Sequence, residues 1–283
     1  MIEVVAVLLA LGAGMAAEAA DPYREMVERW RRDRETRLRA ETGWLTVAGL
    51  FWLKEGEQTI GSGASCDIVL PDHSAAATLG TVVRQGERIT LRFAGSARPP
   101  LELKPDSTGE PTLVEVGDLT LLTIRRGDRI GLRLRDKRSA LRRDFRGCRW
   151  YPVKPEYRVQ GRFLAYPKAR RLRIASVVGT SEEEESPGEV EFEWCGKQFR
   201  LVPVRDGDSL WFIFRDATSG RTTYGGGRFL YADVPRDGTV TLDFNQAYNP
   251  PCAFNPYTTC PIPPAANRLG FAVEAGEMAY EQR

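Results

Sequence analysis

Apolar residues near the start of the chain recur with a helical period. Tyr23, Met26, Val27 and Trp30 stand at i, i+3, i+4 and i+7, a single stripe on a heavily charged rod. Asp21 fits an N-cap, Pro22 fits the first helical position, and Gly43 ends the pattern, so a helix is predicted over 21–42. Arginines crowd the segment from Arg24 to Arg39, yet Glu25, Glu28, Asp33 and Glu35 are mixed among them. That mixture reads as a solvated helix face, not a nucleic-acid or membrane surface.

Beyond Gly43 the helical period disappears. Trp44 to Leu53 is almost continuously apolar, and a bend is expected at Gly49. Short strands are predicted at Gln58–Gly61, Asp67–Leu70, Thr81–Arg84, Arg88–Phe93, Leu119–Arg126 and Arg129–Arg135. Gly127-Asp128 between the last two is a two-residue hairpin signal. The theme continues at Tyr157–Tyr166, Leu172–Val178, Glu189–Trp194, Gln198–Val204, Leu210–Phe214, Gly227–Tyr231, Val240–Phe244 and Leu269–Glu274. Many short strands without α/β alternation predict a mainly β protein: an N-terminal amphipathic helix followed by β-sandwich-like or barrel-like layers. A first sandwich-like part over 43–140 and a second β part over 141–283 are expected to pack as one unit. The basic stretch 125–149 could face phosphate or an anionic surface, but Arg133 and Arg135 alternate with Leu132 and Leu134, which favours arginines on the wet side of a hairpin. Glu182 to Glu185, followed by Ser186-Pro187-Gly188, reads as an acidic loop.

Composition narrows the chemistry. With 40 Lys+Arg against 38 Asp+Glu, bulk charge assigns no nucleic-acid partner. A single histidine excludes metal sites built from two or three His within one chain. That residue, His73, lies in the polar turn Pro71-Asp72-His73-Ser74 and reads as an exposed loop residue. Five cysteines leave at least one unpaired in the monomer, and Cys66, Cys148 and Cys195, one by one in strands or strand ends, read as small buried hydrophobes. No cofactor is implied.

Candidate site chemistry gathers in the last quarter. Tyr224-Gly225-Gly226-Gly227-Arg228 sets three glycines before an arginine, a pattern that suits anion binding or a hairpin needing positive φ. Lacking a following Lys-Ser/Thr, it is no P-loop. The proline-dense run from Asp243 to Pro261 carries Asn245, Asn249, Cys252 and Cys260, and proline at this density forbids a central strand. Tyr224, Arg228, Asp243, Asn245, Asn249 and Glu277 are expected to line one cleft roofed by the loop around Cys252. Arg228 would face a small anionic ligand, with Asp243 orienting it and not serving as an acid. The competing expectation is a buried polar network that pins the loop. Cys252 and Cys260 are too far apart for a CxxC pair. They are expected to form a disulfide in an exported protein, or to stay thiols in a cytosolic one, with a metal shared with Asp243 or Glu277 as the rival.

Two resemblances follow from these motifs. Gln58-Thr59-Ile60-Gly61-Ser62 and Cys66-Asp67-Ile68-Val69-Leu70-Pro71-Asp72 resemble the opening of a forkhead-associated sandwich. Ser62 stands where those modules carry the phosphate-binding Arg, so the resemblance argues for a fold piece and against phosphopeptide binding. Residues Gly43 to Leu53, Thr218-Ser219-Gly220, Thr223-Tyr224, Gly227-Arg228-Phe229-Leu230, Asp243-Phe244-Asn245, Ala247 to Phe254, Thr259-Cys260-Pro261, Asn267-Arg268-Leu269 and Ala275-Gly276-Glu277 resemble the bacterial and archaeal domain-of-unknown-function 1684 family. That resemblance implies one integrated unit and no particular activity. Three function classes therefore compete: a ligand or substrate pocket in the second half, an interaction module on the first sandwich, and a structural envelope protein. Whether the protein is an enzyme stays open.

At the N-terminus, the apolar run Val4–Leu11 and the pattern Ala17-Glu18-Ala19 resemble a signal peptide over 1–20, although Met1-Ile2-Glu3 carries no Lys or Arg. No second run reaches spanning length, so no membrane span is expected in the mature chain. A periplasmic or secreted location follows, with the cytoplasm as the alternative. Protein recovered from its native cells is expected to show an intact mass starting near Ala20 or Asp21. A cytosolic species retaining Met1 or Ile2 overturns the export reading.

Overall fold

The computed structural model describes residues 21–71 and 74–281. The expected signal segment 1–20 and His73 lie outside the described residues. The helix α1 spans Pro22–Arg39; Asp21 caps it, its side chain accepting the Tyr23 N–H at 3.0 Å. Its inward stripe differs from the expected one. Val27, Arg34 and Leu38 are buried and Trp30 half-buried, whereas Met26 is exposed. An arginine thus occupies a core-facing position.

The apolar run after Gly43 begins as a 3-10 turn, Trp44–Thr46, and only then becomes strand β1, Val47–Trp52. Its register against a later strand shifts between Val47 and Gly49, which is the bend expected at Gly49. There follow β2 (Gly56–Gly61), β3 (Ile68–Val69), β4 (Gly80–Gln85), β5 (Arg88–Phe93), β6 (Leu101–Glu102), β7 (Val114–Val116), β8 (Leu119–Arg126) and β9 (Arg129–Asp136). One sheet has the order β1-β9-β8-β7 and the other β3-β2-β4-β5-β6. Gly127, at φ +59°, makes the tight β8–β9 turn. Alternate residues, among them Ile60, Val82, Ile89, Leu91, Leu119, Leu121, Leu132 and Leu134, fill the core between the two sheets.

The other face of β8 and β9 is buried as well. Thr120, Leu122 and Ile124 are shielded, and so is Arg133, at 3 % exposure. The expectation that Arg133 lies on a wet side is therefore corrected. Alternation places a polar residue in water only where the sheet has a free face. Here that face meets Trp44 and the proline-rich loop at Thr259.

After the short helix α2 (Ala140–Arg143) come β10 (Arg158–Ala175), β11 (Ser181–Trp194), β12 (Lys197–Leu201), β13 (Val204–Asp206), β14 (Ser209–Phe214), β15 (Arg228–Asp233) and β16 (Thr239–Asp243). They form the sheets β12-β11-β10-β16 and β13-β14-β15 around a second core that includes Phe192, Phe212, Phe214, Leu230, Leu242 and Phe244. Four local expectations change. Glu182–Glu185 is not a loop but part of β11, where Glu185 opposes Arg171 and Glu183 opposes Arg173 on β10. Opposed charges make the acidic run a good strand partner. Gln198–Val204 divides into β12 and β13 at Pro203, which has no N–H for a ladder. Leu269–Glu274 joins no strand, yet Leu269 and Val273 enter the second core as extended chain. Cys195, expected to be buried, is instead exposed, because it sits on the turn between β11 and β12. No helix among the described residues is long and apolar enough to cross a membrane.

Leu122→Ala tests the covered outer face. A loss of about 2–5 kcal/mol in urea unfolding is expected, as for a core leucine. A change within about 0.5 kcal/mol would mean a solvated face.

Candidate functional site

Of the six polar residues expected to share one cleft, five instead fall into three hydrogen-bonded knots, and Tyr224 joins none of them. Arg228 is fully buried. Its guanidinium donates to Asp216 Oδ2 at 2.9 Å and to the carbonyls of Val273 (2.9 Å), Ala275 and Glu277 (3.5 Å). Asp216 in turn accepts from the N–H of Thr218 at 2.7 Å and of Val273 at 3.2 Å. Arg228 thus straps the C-terminal segment to β15, and its carboxylate partner is Asp216, not Asp243. Gly227, at φ +96°, makes the turn that delivers it; a Cβ there would collide with the Phe214 carbonyl and Pro263.

Asp243 and Asn245 form a second knot. Asp243 Oδ1 accepts from the Tyr23 hydroxyl at 2.8 Å and the Asn245 N–H at 3.1 Å. Asn245 donates to the Lys154 carbonyl at 2.8 Å and accepts the Lys154 N–H at 3.0 Å. Burial, and then Asp243, push the Tyr23 hydroxyl well above its ordinary pKa, so it serves as a neutral donor.

Glu277 and Asn249 make the third. Glu277 Oε2 accepts from Arg34 Nε at 2.7 Å and the Asn249 N–H at 3.0 Å, and Oε1 accepts from Asn249 Nδ2 at 3.0 Å. Arg34 also donates to the Asn249 carbonyl at 2.8 Å and lies 4.4 Å over the Tyr248 ring. Asp243 and Glu277 are engaged by these partners, and neither completes the metal set with Cys252 and Cys260 considered from the sequence. Among the described residues, no group of three or more His, Cys, Asp and Glu side chains is placed to hold a metal ion.

Tyr224 does approach the cysteines: burial first, then Cys252 and Cys260, raise its pKa. Cys252 and Cys260 are close together as free thiols, and their hydrogen bonds are reciprocal. The Cys252 N–H donates to Cys260 Sγ at 3.1 Å, and the Cys260 N–H donates to Cys252 Sγ at 3.4 Å. Thr258 Oγ1 donates to Cys252 Sγ at 2.8 Å.

A cleft of about 680 Å³ opens between the two β units, and of the expected site residues only Asn249 and Cys260 line it. One wall is aromatic. Trp211 and Tyr231 are nearly parallel (13°, centroids 6.2 Å apart), as are Tyr231 and Tyr248 (8°, 6.4 Å). Phe229 meets Trp211 and Tyr248 edge-on. Trp44 and Phe254 face this cleft from other elements. At one end Arg126 donates to Thr259 Oγ1 at 2.9 Å and pairs with Asp106, also at 2.9 Å. Arg133 reaches the same hydroxyl at 3.5 Å and has no carboxylate within ion-pair distance among the described residues. Burial, and then Arg126, lower the Arg133 pKa to about 10, still a cation at neutral pH. Glu182 and Glu184 also line the cleft, with Ile174. Burial, followed by Glu182 and Asp206, raises the Glu184 carboxyl.

The family described as Protein of unknown function (DUF1684) matches residues 143–278. The chain belongs to it. The matched range contains all eight candidate residues and ends just after Glu277, while Arg34, which completes the third knot, and Arg126, which lines the cleft, lie outside it. An uncharacterised protein of Haloarcula marismortui, solved by solution NMR, is 31% identical over 48% of this chain and 78% of its own, with a TM-score of 0.42. No curated protein matches the chain.

Sequence reasoning missed Arg34, Arg133, Asp216, Thr258, Thr259 and the ring row of Trp211, Tyr231 and Tyr248. Arg34 carried a signal, since it continues the stripe of Val27 and Trp30 at helical spacing. Arg228→Ala, which leaves Asp216 buried and unpaired, is expected to cost about 3–5 kcal/mol in chemical denaturation. Arg133→Met is expected to be neutral or stabilising, because it removes an unpaired buried charge. The reverse order would reassign which arginine is structural.

Proposed function

We propose that the cleft between the two β units binds a small organic anion with a flat apolar body. The observation that carries the reading is the meeting of Arg126 and Arg133 at Thr259, at one end of a wall of aromatic rings. Of these two guanidinium groups only Arg126 has a carboxylate, Asp106, within ion-pair distance, and Arg133 keeps its charge in a partly desolvated site. An anionic group at that end would gain charge-assisted hydrogen bonds from Arg126. The apolar body would lie along Trp211, Tyr231 and Tyr248. About 680 Å³ is the size of a small-molecule site, and predominantly apolar walls with a few polar groups are its usual lining. The pocket expected from the sequence is kept in this reading, but its lining moves from Arg228 and Asp243 to Arg126 and the aromatic row. The reading is one of binding and assigns no reaction.

Titration with anilinonaphthalene sulfonate, a flat aromatic anion, tests it on the native protein by fluorescence. Saturable binding is expected, weakened roughly tenfold by Arg126→Ala and also weakened by Tyr231→Ala. Binding that does not saturate, or that ignores both substitutions, overturns it.

A further inference from the structure

Among the cysteines, the pair in the proline-rich loop has the surroundings of reactive sulfur. Cys252 is half-buried and accepts hydrogen bonds from the Thr258 hydroxyl and the Cys260 N–H. Cys260 is buried, lines the cleft, and accepts the Cys252 N–H. Arg133 lies close enough for its charge to act on both sulfurs, and its Nε has no hydrogen-bond partner. A buried guanidinium without a carboxylate needs a counter-charge, and the sulfur pair is placed to supply it. Cys148 is the contrast, because burial and the neighbouring Glu277 hold its thiol in the neutral form.

We propose that Cys252 and Cys260 are a nucleophilic and a resolving thiol that exchange with small-molecule disulfides. The Cys252 thiolate attacks one sulfur of a disulfide RSSR, forming a Cys252–S–S–R bond and expelling RS⁻, which takes up a proton. Cys260 then gives up its proton and attacks Cys252 Sγ, forming the Cys252–Cys260 disulfide and expelling the second RS⁻. Starting from the Cys252 thiolate, the protein loses two electrons and the Cys260 proton; with one further proton from solvent, RSSR becomes two RSH. The division of roles follows from the surroundings. Hydrogen bonds from Cys260 and Thr258, with the charge of Arg133, lower the Cys252 pKa to about 6, whereas Cys252 and burial raise that of Cys260. Cys252 is also the more exposed of the two. The pair would work whether or not the cleft takes an organic anion.

The full-length protein, reduced and then equilibrated with defined ratios of reduced and oxidised glutathione, provides the test, read by peptide mapping after acid quench and alkylation. A Cys252–Cys260 disulfide that forms and reopens as the ratio is varied is expected. Cys260→Ser should trap one glutathione on Cys252, and rapid quenching of the wild-type protein should capture the same mixed disulfide. Iodoacetamide should modify Cys252 roughly five- to ten-fold faster than glutathione at pH 6.5, with a rate that falls as pH drops through about 6. Arg133→Met should reduce that advantage several-fold. Thiols that stay reduced at every ratio, a disulfide that no ratio reopens, or first capture at Cys260 overturn the assignment.

Discussion

Arg34 and Glu277 form a buried ion pair that joins three distant parts of the chain: the N-terminal helix, the proline-rich loop and the C-terminal segment. Such a pair costs desolvation energy and is tolerable when the remaining hydrogen-bonding positions are filled. Both Glu277 oxygens accept hydrogen bonds, and Arg34 divides its donors between that carboxylate and the Asn249 carbonyl. The same guanidinium lies over the Tyr248 ring, while Trp30, one helical turn earlier, packs against Trp150 and Tyr248. The last ring of the aromatic wall is therefore held by the helix, and the shape of the cleft depends on this contact.

The rest of the second β unit repeats the device because its backbone lacks other partners. Proline-dense chain can neither donate fully to a ladder nor continue a helix, so its buried N–H and carbonyl groups require side chains. Asn245 satisfies both backbone groups of Lys154, and Asn267 accepts from the Val202 N–H while donating to the Val202 and Ile213 carbonyls. Arg228 serves the carbonyls of Val273 and Ala275. The residues that looked like a binding constellation are largely the hydrogen-bond partners of an irregular backbone. Polar side chains beside glycine and proline fit either role, and their burial separates the two.

The cleft has a different origin. It lies where the covered outer face of β8 and β9 meets the second unit, with Arg126 of that face in its lining and Arg133 reaching the hydroxyl of Thr259 in the same lining. Arg126 and Arg133 are ordinary hairpin arginines when read in isolation. Packing against Trp44 and Thr259 removes Arg133 from water and brings its charge close to the thiol pair. One contact between the units thus bears on both proposals: it sets the surroundings of the proposed anion site and adds the charge of Arg133 to the hydrogen bonds that lower the Cys252 pKa.

Much of the architecture was legible in local pattern. The Asp21–Pro22 helix start, the hairpin across Gly127-Asp128 and the mainly β composition follow from capping, turn geometry and side-chain alternation, which act over a few residues. The family was legible too, because most of its motifs are contiguous runs in the second half; Gly43 to Leu53, also read as part of it, lies outside the matched residues 143–278. Which polar residues face a cavity was not, since that depends on what covers each face. Helical spacing places Arg34 on the inner stripe, but only Glu277, 243 residues later, makes its burial tolerable. Alternation puts Arg133 opposite Leu132 and Leu134, but whether that side is wet is decided by a loop more than a hundred residues away. The sequence alone determined the elements and their turns, because those depend on neighbouring residues. Tertiary structure alone decided which charges are paired, which is bare and where the cleft opens, because desolvation and ion pairing depend on distance in space.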